Sequence, residues 1–528
     1  MKRVHLNQLG YRPQDIKKAA VTVDTAVFTV IRVDDDVIDI NDGKVVLQGE
    51  LSEPIWDSAS GDMVRSADFT IIKEKGKYVV CAIDYSFPFI ISDTPYRDLR
   101  RALLDFFPYQ SCGVVVEADK WSHPACHTSL ATIYGIHEKK DVSGGWHDAG
   151  DYGRYTVPAA MTVADLLLAH ELAVSAIDED LLDIVWFELE WLLKMQDETG
   201  GVYHKVTCHD FNALDEMPHD EHEELIIIPP TAAATADFAA VVALASRFYP
   251  EEKERLLRVA VRAWEWCVAN PQAPAYKNPP DIRTGPYGDH FRRDEFSVSK
   301  RFWAACELYN ATKDEKYHDY IKELWKPLSE NENLTGGFGW FDMSGYGMWA
   351  YLYSQMQKNK DIEKLMSDRF LAECEEILRL YESDGYGVSL AADYRWGSNM
   401  IVANNAQKLL MGGILFPERA STYREAALAH FHYLLGHNPL SQSYITGFGA
   451  KPPLFPHHRP SVAVGAAMPG MVVGGPNMFT EADSDLHAAC KGLPPSKCYV
   501  DHSGSYSANE VTIYWNSPVY FMAAVLGF

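Results

Sequence analysis

The sequence predicts a mainly α-helical protein in which a six-hairpin α/α barrel follows a small all-β sandwich. Three observations lead to this fold class. Residues 1–92 contain short runs of β-branched residues separated by turn residues, which is the pattern of a sandwich. Residues 93–528 show helical periods instead. The connections between helices are of two kinds, short and long. In a closed ring of paired helices, the long connections would all lie at one end and form a cleft. A helical bundle with long excursions is the alternative.

The N-terminal strands are predicted from runs rich in β-branched residues. Turn signals separate them, with Asn-Asp-Gly at residues 41–43 and a glycine at Gly76. The predicted strands are residues 19–23, 27–33, 44–48, 69–73, 78–83 and 87–91.

The helices that follow are predicted from apolar residues at helical spacing, such as Leu256, Ala260, Ala263 and Trp264. The predicted helices are residues 96–106, 159–177, 179–196, 231–248, 251–268, 295–312, 315–327, 347–358, 362–382, 399–415, 421–435 and 509–526. The long connections, rich in glycine, proline and aromatic residues, are 111–158, 198–230, 269–294, 383–398 and 436–508. Twelve helices suit six hairpins.

Composition and charge exclude several classes of protein. The 528 residues carry 73 acidic and 48 basic side chains, a net charge of −25, which disfavours nucleic acids and anionic membranes as partners. The most apolar stretch, residues 225–245, contains two prolines and an aspartate, so it does not predict a membrane span. Because no apolar leader follows the first residues, a cytoplasmic protein is expected, or a secreted one if a leader has been removed. The nine cysteines are expected to be reduced.

The strongest local pattern is the glycine-rich stretch 143–155, which places Asp148 and Asp151 just before a predicted helix. Glycines let the backbone approach a ligand closely. Neighbouring carboxylates can orient one water molecule and share its proton. An Asx turn or a helix N-cap would account for one aspartate, but not readily for two beside several glycines and aromatic residues.

Two further patterns lie near the C-terminus. Glu510 is predicted to open an apolar helix between Tyr506 and Trp515, and a carboxyl group in an aromatic, desolvated pocket can act as a general acid. A glutamate that interacts with the helix macrodipole is the alternative. Residues 443–459 end in His457, a second histidine and Arg459, donors that suit hydroxyl groups. Taken alone, this trio is more typical of a salt-bridged surface loop.

The fourth pattern resembles a metal site. Cys112, Cys126, His127 and His147 fall within one long predicted loop, and two thiolates with two imidazoles satisfy tetrahedral zinc. The spacing does not fit a zinc finger, and buried free cysteines beside ordinary histidines are the alternative. A metal here would anchor the loop of Asp148, which follows His147 directly.

Taken together, these patterns resemble glycoside hydrolase family 9, in the subgroup with an N-terminal immunoglobulin-like domain. Several long segments in the same order make this resemblance specific, and it extends over almost the whole chain. The segments that carry it are residues 7–11, 144–151, 394–399, 443–459 and 499–517. The resemblance implies an immunoglobulin-like domain at residues 1–92 and a catalytic α/α barrel at residues 93–528.

The resemblance also implies hydrolysis of β-1,4-linked glucans with inversion at the anomeric carbon. Asp151 would be the general base, Asp148 would help to hold the water, and Glu510 would be the general acid. An inverting pair of carboxyl groups is expected at a separation of ~6.5–9.5 Å. The residues expected to position the sugar and the catalytic groups are His457, Arg459, Asp501, Trp396 and Tyr506.

Metal ions are implied as well. The zinc site of related proteins corresponds to the two cysteines and two histidines named above, and calcium is common in the family. The candidate calcium ligands are Asp210, Asp215 and Glu216, in the loop 207–224.

Two other functions remain open at this point. Some relatives with this architecture release glucosamine from chitosan-type oligomers, so an exo-β-glucosaminidase is the first alternative. A sugar-binding protein without turnover is the second, although the complete set of carboxylates argues against it. In each case the partner is an oligosaccharide or polysaccharide.

Overall fold

The N-terminal part folds into two β-sheets in the computed structural model. The structure describes residues 2–33, 43–173, 177–271, 273, 278–285, 294–330 and 336–528. The strands are β1 Val4–His5, β2 Gly10–Tyr11, β3 Lys18–Val21, β4 Val27–Val33, β5 Lys44–Glu50, β6 Ile55–Asp57, β7 Asp62–Asp68, β8 Gly76–Ala82, β9 Asp84–Tyr85 and β10 Phe89–Ile91. One sheet has the order β1-β3-β7-β6, and the other has the order β2-β10-β8-β4-β5 with β9 beside β8.

Buried apolar side chains from both sheets form one core. Ala19 and Ala67 of the first sheet pack with Val30, Val80 and Phe89 of the second. Burial of alternate residues on the inner faces is the packing of an immunoglobulin-like sandwich, so this part of the predicted fold is confirmed.

The predicted strand at residues 69–73 is wrong. Phe69 is buried in the sandwich core and donates its N–H to the Lys17 carbonyl at 3.0 Å. The Ile72 N–H then returns to the Phe69 carbonyl at 3.0 Å, so the chain turns directly after β7. The preceding strand, β7, escaped prediction because aspartate and arginine interrupt its apolar residues. The predicted turn at Asn41-Asp42 lies outside the described residues.

In the described part of the chain, twelve longer helices form the barrel and confirm the predicted architecture. The inner helices are α2 Thr156–Leu172, α4 Ala232–Ala245, α6 Asp294–Thr312, α8 Ser344–Tyr353, α10 Ser398–Leu415 and α15 Ile513–Val525. The outer helices are α1 Arg97–Tyr109, α3 Leu181–Lys194, α5 Lys253–Ala269, α7 Glu315–Ser329, α9 Lys360–Ser383 and α11 Ala420–Leu434. Each inner helix contacts the next, and α15 contacts α2, so the ring closes.

The sequence distinguishes the two rings. All residues of α4 are buried, as are nearly all of α2, because inner helices contact protein on every side. The outer helix α5 buries only one stripe, which includes Leu256, Ala260 and Trp264. Among the described helices, none is long and apolar enough to span a bilayer.

The last predicted helix begins later than expected. Glu510 has an extended backbone (φ −68°, ψ 160°). The Thr512 side chain accepts the N–H of Trp515 and caps α15, which therefore starts at Ile513. The prediction that Glu510 opens this helix is wrong, and so is the alternative role at the helix macrodipole. Three short helices occur in the preceding loops: α12 Arg459–Val464, α13 Ser484–Cys490 and α14 Tyr506–Asn509.

A third sheet joins two of the long loops, and the sequence pattern did not predict it. Its strands are β11 Ala131–Ile133, β12 Lys139–Lys140, β13 Arg154–Tyr155, β14 Tyr203–Thr207 and β15 Ile226–Pro230, in the order β12-β11-β15-β14-β13. Strands of two to five residues are too short to show a period. This sheet matters for the site because β13 follows Asp151 almost directly.

The sandwich packs against the barrel through the first residues of the chain. The Gln8 side-chain oxygen accepts the N–H groups of Ala450 (2.8 Å) and Lys451 (2.9 Å), and its amide donates to the Ser441 carbonyl at 2.8 Å. Asn7 donates to the Tyr96 hydroxyl at 3.1 Å. The sandwich therefore fixes the start of the long loop that leads to His457.

Two carboxyl groups also meet between the sandwich and the barrel. Asp57 at the end of β6 hydrogen-bonds with Asp384, which follows α9. Burial and the charge of Asp57 raise the pKa of Asp384 to about 8, so one proton is shared across the interface at neutral pH.

This pair predicts a pH-dependent stability. Since the folded-state pKa of Asp384 is raised, the stability that its protonated form contributes is lost as the pH rises toward about 8. Asp384→Asn, which mimics the protonated form, is expected to raise Tm at pH 9 relative to wild type and to flatten the decline of Tm from pH 5 to pH 9. Thermal scans of this variant and of the exposed neighbour Glu382→Gln provide the comparison. Equal slopes for wild type and Asp384→Asn would contradict the prediction.

Candidate active site

The two aspartates of the glycine-rich loop are buried between α1 and α2. The Asp148 N–H donates to the Gly153 carbonyl at 2.9 Å, and the Gly153 N–H donates to Asp151 Oδ1 at 2.6 Å. Asp151 therefore does form the Asx turn that was considered as an alternative. Asp148 Oδ1 has no partner within the described part of the chain, although it is buried. A buried carboxylate oxygen without a donor is suited to hold a water molecule.

Gly150 is the point where the C-terminal segments reach this loop. Its carbonyl accepts the backbone N–H (3.2 Å) and Nη1 (2.7 Å) of Arg459, and its N–H donates to the Glu510 carboxyl group. A Cβ at Gly150 would lie 2.1 Å from the carbonyl oxygen of His457, which excludes any other residue here. The sequence-predicted residues are thus brought together by direct backbone contact.

Glu510 is held in an extended segment beside His457. The two residues form a parallel bridge, and the His457 N–H donates to the Asn509 carbonyl at 2.8 Å. The Gly474 N–H binds the Glu510 carbonyl at 2.9 Å. Because its backbone is fixed on both sides, the Glu510 side chain is directed toward the aspartate loop.

Asp501 acts on the loop that carries His457. Its two carboxylate oxygens accept the N–H groups of Leu454 (2.7 Å) and Phe455 (2.9 Å), and Asn509 donates to Oδ1 at 3.1 Å. These contacts tie the segment before His457 to the segment before Glu510. The structure therefore gives Asp501 a positioning contact with backbone.

Arg459 is buried, and its donors serve the backbone as well. Besides the bond to Gly150, Nη2 donates to the Asn212 carbonyl at 3.0 Å. The expectation of a salt-bridged surface loop is wrong for this histidine–arginine segment, because Arg459 and His458 are both buried. Contact between Arg459 and substrate stays a prediction.

Burial raises the pKa of three carboxyl groups, those of Asp148, Asp151 and Glu510, but to different extents. For Asp148 the pKa lies well above the usual range, because of burial and the charges of Asp151 and Glu510. For Asp151, burial raises the pKa while the Arg459 guanidinium and the Gly153 N–H oppose the rise. Burial and the charge of Asp151 raise the pKa of Glu510 to about 8. At neutral pH, Glu510 is therefore mainly protonated.

Two aromatic side chains border Glu510 on the solvent side. Trp396 and Tyr506 are 47% and 36% exposed, and their ring centroids lie 5.4 Å apart. The Trp396 side chain hydrogen-bonds to Glu510. Trp515, which the sequence also placed beside Glu510, is buried and lies beneath Gly397 and Gly474 instead.

Three residues near the carboxyl groups were missed in the sequence. Tyr155 and Lys205 face each other across β13 and β14, and Tyr514 lies close enough to all three catalytic candidates for their charges to raise its pKa. The only signal for Lys205 was a lysine within a short run of otherwise uncharged residues, and the register needed to interpret it is not visible without the sheet.

The four predicted zinc ligands converge in the structure. Their ligand atoms all lie within 4.8 Å of one another. His147 Nε2 is 3.4 Å from His127 Nδ1 and 3.8 Å from Cys126 Sγ, and Cys112 Sγ is 3.6 Å from His127 Nδ1. A tetrahedron with Zn–S of about 2.3 Å and Zn–N of about 2.0–2.1 Å has edges of about 3.3–3.8 Å. The donor set and its dimensions therefore fit zinc.

The outer contacts of this cluster also suit a metal. His127 Nε2 is 2.8 Å from a Glu221 carboxylate oxygen, the contact that orients many metal-bound imidazoles. His147 immediately precedes Asp148, so the cluster fixes the start of the aspartate loop.

The three predicted calcium ligands are not gathered in the same way. Asp210 forms an ion pair with Arg283, and the Glu216 carbonyl accepts the Tyr152 hydroxyl at 2.6 Å. In the described ranges, the Cys/His site is the only cluster of three or more metal-binding side chains. Calcium binding by Asp210, Asp215 and Glu216 stays a prediction.

The closed α/α barrel holds buried carboxyl groups beside exposed aromatic side chains. Cleavage of a glycosidic bond requires paired carboxyl groups and a surface for sugar rings. The fold and the site therefore define the class of protein, the glycoside hydrolases. Comparison with known proteins gives the particular family. The chain belongs to glycosyl hydrolase family 9, whose sequence profile matches residues 96–523. Residues 1–86 match the cellulase N-terminal ig-like domain.

Individual relatives match along their whole length. A cellodextrinase of Butyrivibrio fibrisolvens is 34% identical, with 99% of each chain covered. The structure of a single mutant of a thermostable endoglucanase from Alicyclobacillus acidocaldarius superposes with a TM-score of 0.89 at 36% identity, covering 100% of both chains. A Zn-binding triple mutant of the family 9 endoglucanase J30 has a TM-score of 0.88 at 31% identity, covering 98% of this chain and 99% of that one.

Proposed function

We propose that the protein hydrolyses β-1,4-glycosidic bonds of glucans and short cello-oligosaccharides with inversion, using Asp151 as general base and Glu510 as general acid. The observation that carries the proposal is the contrast between the two carboxyl groups. Burial raises the pKa of Asp151, but the Arg459 guanidinium and a backbone N–H oppose this rise and favour the anion. Glu510 has its pKa raised to about 8 and retains its proton. When the surroundings of two carboxyl groups push their pKa values apart, the group that ionises more readily is suited to act as the base and the other as the acid.

The reaction is a single displacement. Asp151 takes a proton from a water molecule, and the water oxygen bonds to the anomeric carbon on the face opposite the leaving group. The bond from that carbon to the glycosidic oxygen breaks, and Glu510 gives its proton to this oxygen. The free oxygen of Asp148 holds the water before attack. Asp151 ends protonated and Glu510 ionised, and exchange with solvent restores both.

His457 would act as an acceptor toward the sugar. Its Nδ1 donates to the Ser503 carbonyl at 2.6 Å, which leaves Nε2 with a free electron pair. Burial lowers the pKa of His457 to about 4, so the ring is neutral when the enzyme works near neutral pH. A sugar hydroxyl can therefore donate to Nε2. Trp396 and Tyr506 offer ring faces for the sugars on either side of the cleaved bond.

Product analysis with matched cello-oligosaccharides and chitosan oligosaccharides tests the substrate, with NMR to follow the anomer first formed. Release of α-anomers from cello-oligosaccharides is the expected result, since the β-bond is cleaved with inversion. Glucosamine released one unit at a time from chitosan oligomers would replace the proposal with an exo-β-glucosaminidase. Absence of products from both substrates would contradict each enzymatic assignment.

We further propose that Cys112, Cys126, His127 and His147 bind a structural zinc ion. When bound, the ion would cross-link the end of α1, the loop around residue 126 and the start of the aspartate loop. Neighbouring residues would support the bound ion. Glu221 contacts His127 and orients its ring, and burial of Cys112 and Cys126 keeps water away from their thiolates.

The zinc proposal predicts a loss of stability on metal removal. A strong chelator is expected to lower Tm by several degrees, because a structural metal contributes its binding free energy to folding. Cys126→Ala should already show the lower Tm and no further response to chelator. The matched control is Cys267→Ala, another buried free cysteine, which should keep the response. Metal analysis that finds no zinc, together with an unchanged Tm in chelator, would contradict the proposal.

A further inference from the structure

We propose that Lys205 is a positioning residue for the general base, because its buried ammonium group lies beside Tyr155, whose hydroxyl is close to Asp151, and stabilises the ionised carboxylate. This inference rests on the proposed function, in which Asp151 must be ionised to accept a proton from water. Lys205 itself is completely buried.

Lys205 occupies a fixed place in the third sheet. It lies on β14 directly opposite Tyr155 of β13, and its side chain is completely buried. Nζ donates to the Thr284 carbonyl at 2.6 Å and lies 5.3 Å from the centroid of the Tyr155 ring. Within the described residues, no carboxylate lies within the 4.0 Å of an ion pair with Nζ. Among the described residues, the charge is therefore held in the protein interior without a direct counter-ion.

Two glycines show how closely Lys205, Tyr155 and Asp151 are placed. A Cβ at Gly285 would lie 2.9 Å from Lys205 Nζ and 2.9 Å from the Tyr155 hydroxyl. A Cβ at Gly153 would lie 2.9 Å from the same hydroxyl and 2.8 Å from Asp151 Oδ1. The Tyr155 hydroxyl therefore lies close to both the ammonium group and the carboxylate, with no room for a side chain at either glycine.

The electrostatics agree with this geometry. Lys205 opposes the rise that burial causes in the pKa of Asp151, and Asp151 in turn opposes the fall that burial causes in the pKa of Lys205, to about 7. On the acidic side of neutrality, where the base must lose its proton, Lys205 is charged. Other groups that interact electrostatically with Asp151 or Lys205 are Arg459, Glu221, Asp148, Glu510, Tyr514, Cys208 and His204.

Lys205 differs from the other cation near the base. Arg459 gives its Nη groups to the carbonyls of Gly150 and Asn212, so its removal would disrupt the loops as well as the charge. The Lys205 ammonium group donates to one described backbone carbonyl, that of Thr284, and a glutamine amide can replace this hydrogen bond. Its charge can therefore be removed with little change in structure.

The test is the pH profile of kcat/KM on a neutral cello-oligosaccharide, for which the acidic limb reports the base in the free enzyme. Lys205→Met and Lys205→Gln are each expected to move the acidic limb upward by about half to one pH unit, because a nearby positive charge no longer favours the carboxylate. Relative to wild type, the activity of both variants should therefore fall more at pH 5 than at pH 7. The matched control is Lys140→Met, on the same sheet, whose Nζ also contacts an aromatic ring and a backbone carbonyl.

The outcomes separate the two proposals. An acidic limb that stays in place in both Lys205 variants, with Tm near that of wild type, overturns the role of Lys205. The same shift in Lys140→Met would also overturn it. If Asp151→Asn retains near-normal activity, the base itself is wrongly assigned and the proposed function fails first. A Lys205→Met protein that does not fold leaves Lys205→Gln to decide.

Discussion

Asp151→Asn and Glu510→Gln are each expected to lower kcat on cello-oligosaccharides by about 10²–10⁴-fold, the range typical of a lost general acid or base. An amide at residue 151 cannot take the proton of water, and an amide at residue 510 cannot protonate the leaving oxygen. Both amides retain size and hydrogen-bonding atoms, so Tm should change little. Steady-state rates and thermal scans on the same preparations measure the two effects.

The substrate can distinguish the two roles. A dinitrophenyl cellobioside has a leaving group that departs as an anion without a proton, so Glu510→Gln should regain much of its rate on this substrate while Asp151→Asn should not. The pH profile gives a second distinction. In wild type, kcat/KM should fall as the pH rises through about 8, where Glu510 loses its proton, and this limb should be absent in Glu510→Gln.

Glu481→Gln is the matched control, because Glu481 is an exposed carboxylate in the loop before Tyr506. It should leave the rate and both limbs of the profile unchanged. Near-normal turnover in either Asp151→Asn or Glu510→Gln would reject the mechanism, and recovery of both variants on the activated substrate would reject Asp151 as the base.

Lys300→Met is expected to destabilise the barrel by about 3–5 kcal/mol, the usual cost of removing one partner of a buried ion pair. Lys300 of α6 donates to Asp237 of α4 at 2.6 Å, and both side chains are almost completely buried. Without the ammonium group, the carboxylate remains in the interior with no counter-charge. Differential scanning calorimetry should therefore show a clear fall in Tm.

The effect should depend on pH. Burial raises the pKa of Asp237 to about 6 even though Lys300 opposes the rise, and removal of Lys300 raises that pKa further. A raised folded-state pKa means that stability is lost as the pH increases, so the deficit of Lys300→Met should be larger at pH 8 than at pH 5.

A double variant is the control for this pair. Lys300→Met combined with Asp237→Leu leaves no isolated charge and should recover much of the lost stability, since replacing both members of a buried pair by apolar residues is often nearly neutral. Additive destabilisation by the two single substitutions would show that the ion pair is not the source of the loss.

The sequence alone predicted most of the fold because its periods are strong. The outer helices show a 3.6-residue pattern and the inner helices are long apolar runs, and all twelve predicted barrel helices are present with shifted ends. The failures have local causes. The run at residues 69–73 is apolar but turns after β7, and the five strands of the third sheet are too short for any period.

The chemistry-bearing residues were also visible in the sequence. Asp148, Asp151 and Glu510 occur in glycine-rich or aromatic segments, and the four candidate metal ligands fall within one long predicted loop. The resemblance of these segments to family 9 then suggested a role for each of these residues. The prediction that Glu510 opens the last helix was wrong, because the Thr512 cap, seen only in the structure, shows that this helix begins after Glu510.

Only the tertiary structure decided how these groups act on one another. The convergence of three segments at Gly150 depends on backbone contacts between residues more than 300 positions apart. Burial, which sets the pKa of Glu510 at about 8, follows from closure of the loops over the carboxyl groups. The place of Lys205 beside the base depends on the register of β13 and β14. Composition and period are properties of the chain itself, whereas desolvation and charge proximity exist only after distant segments have packed together.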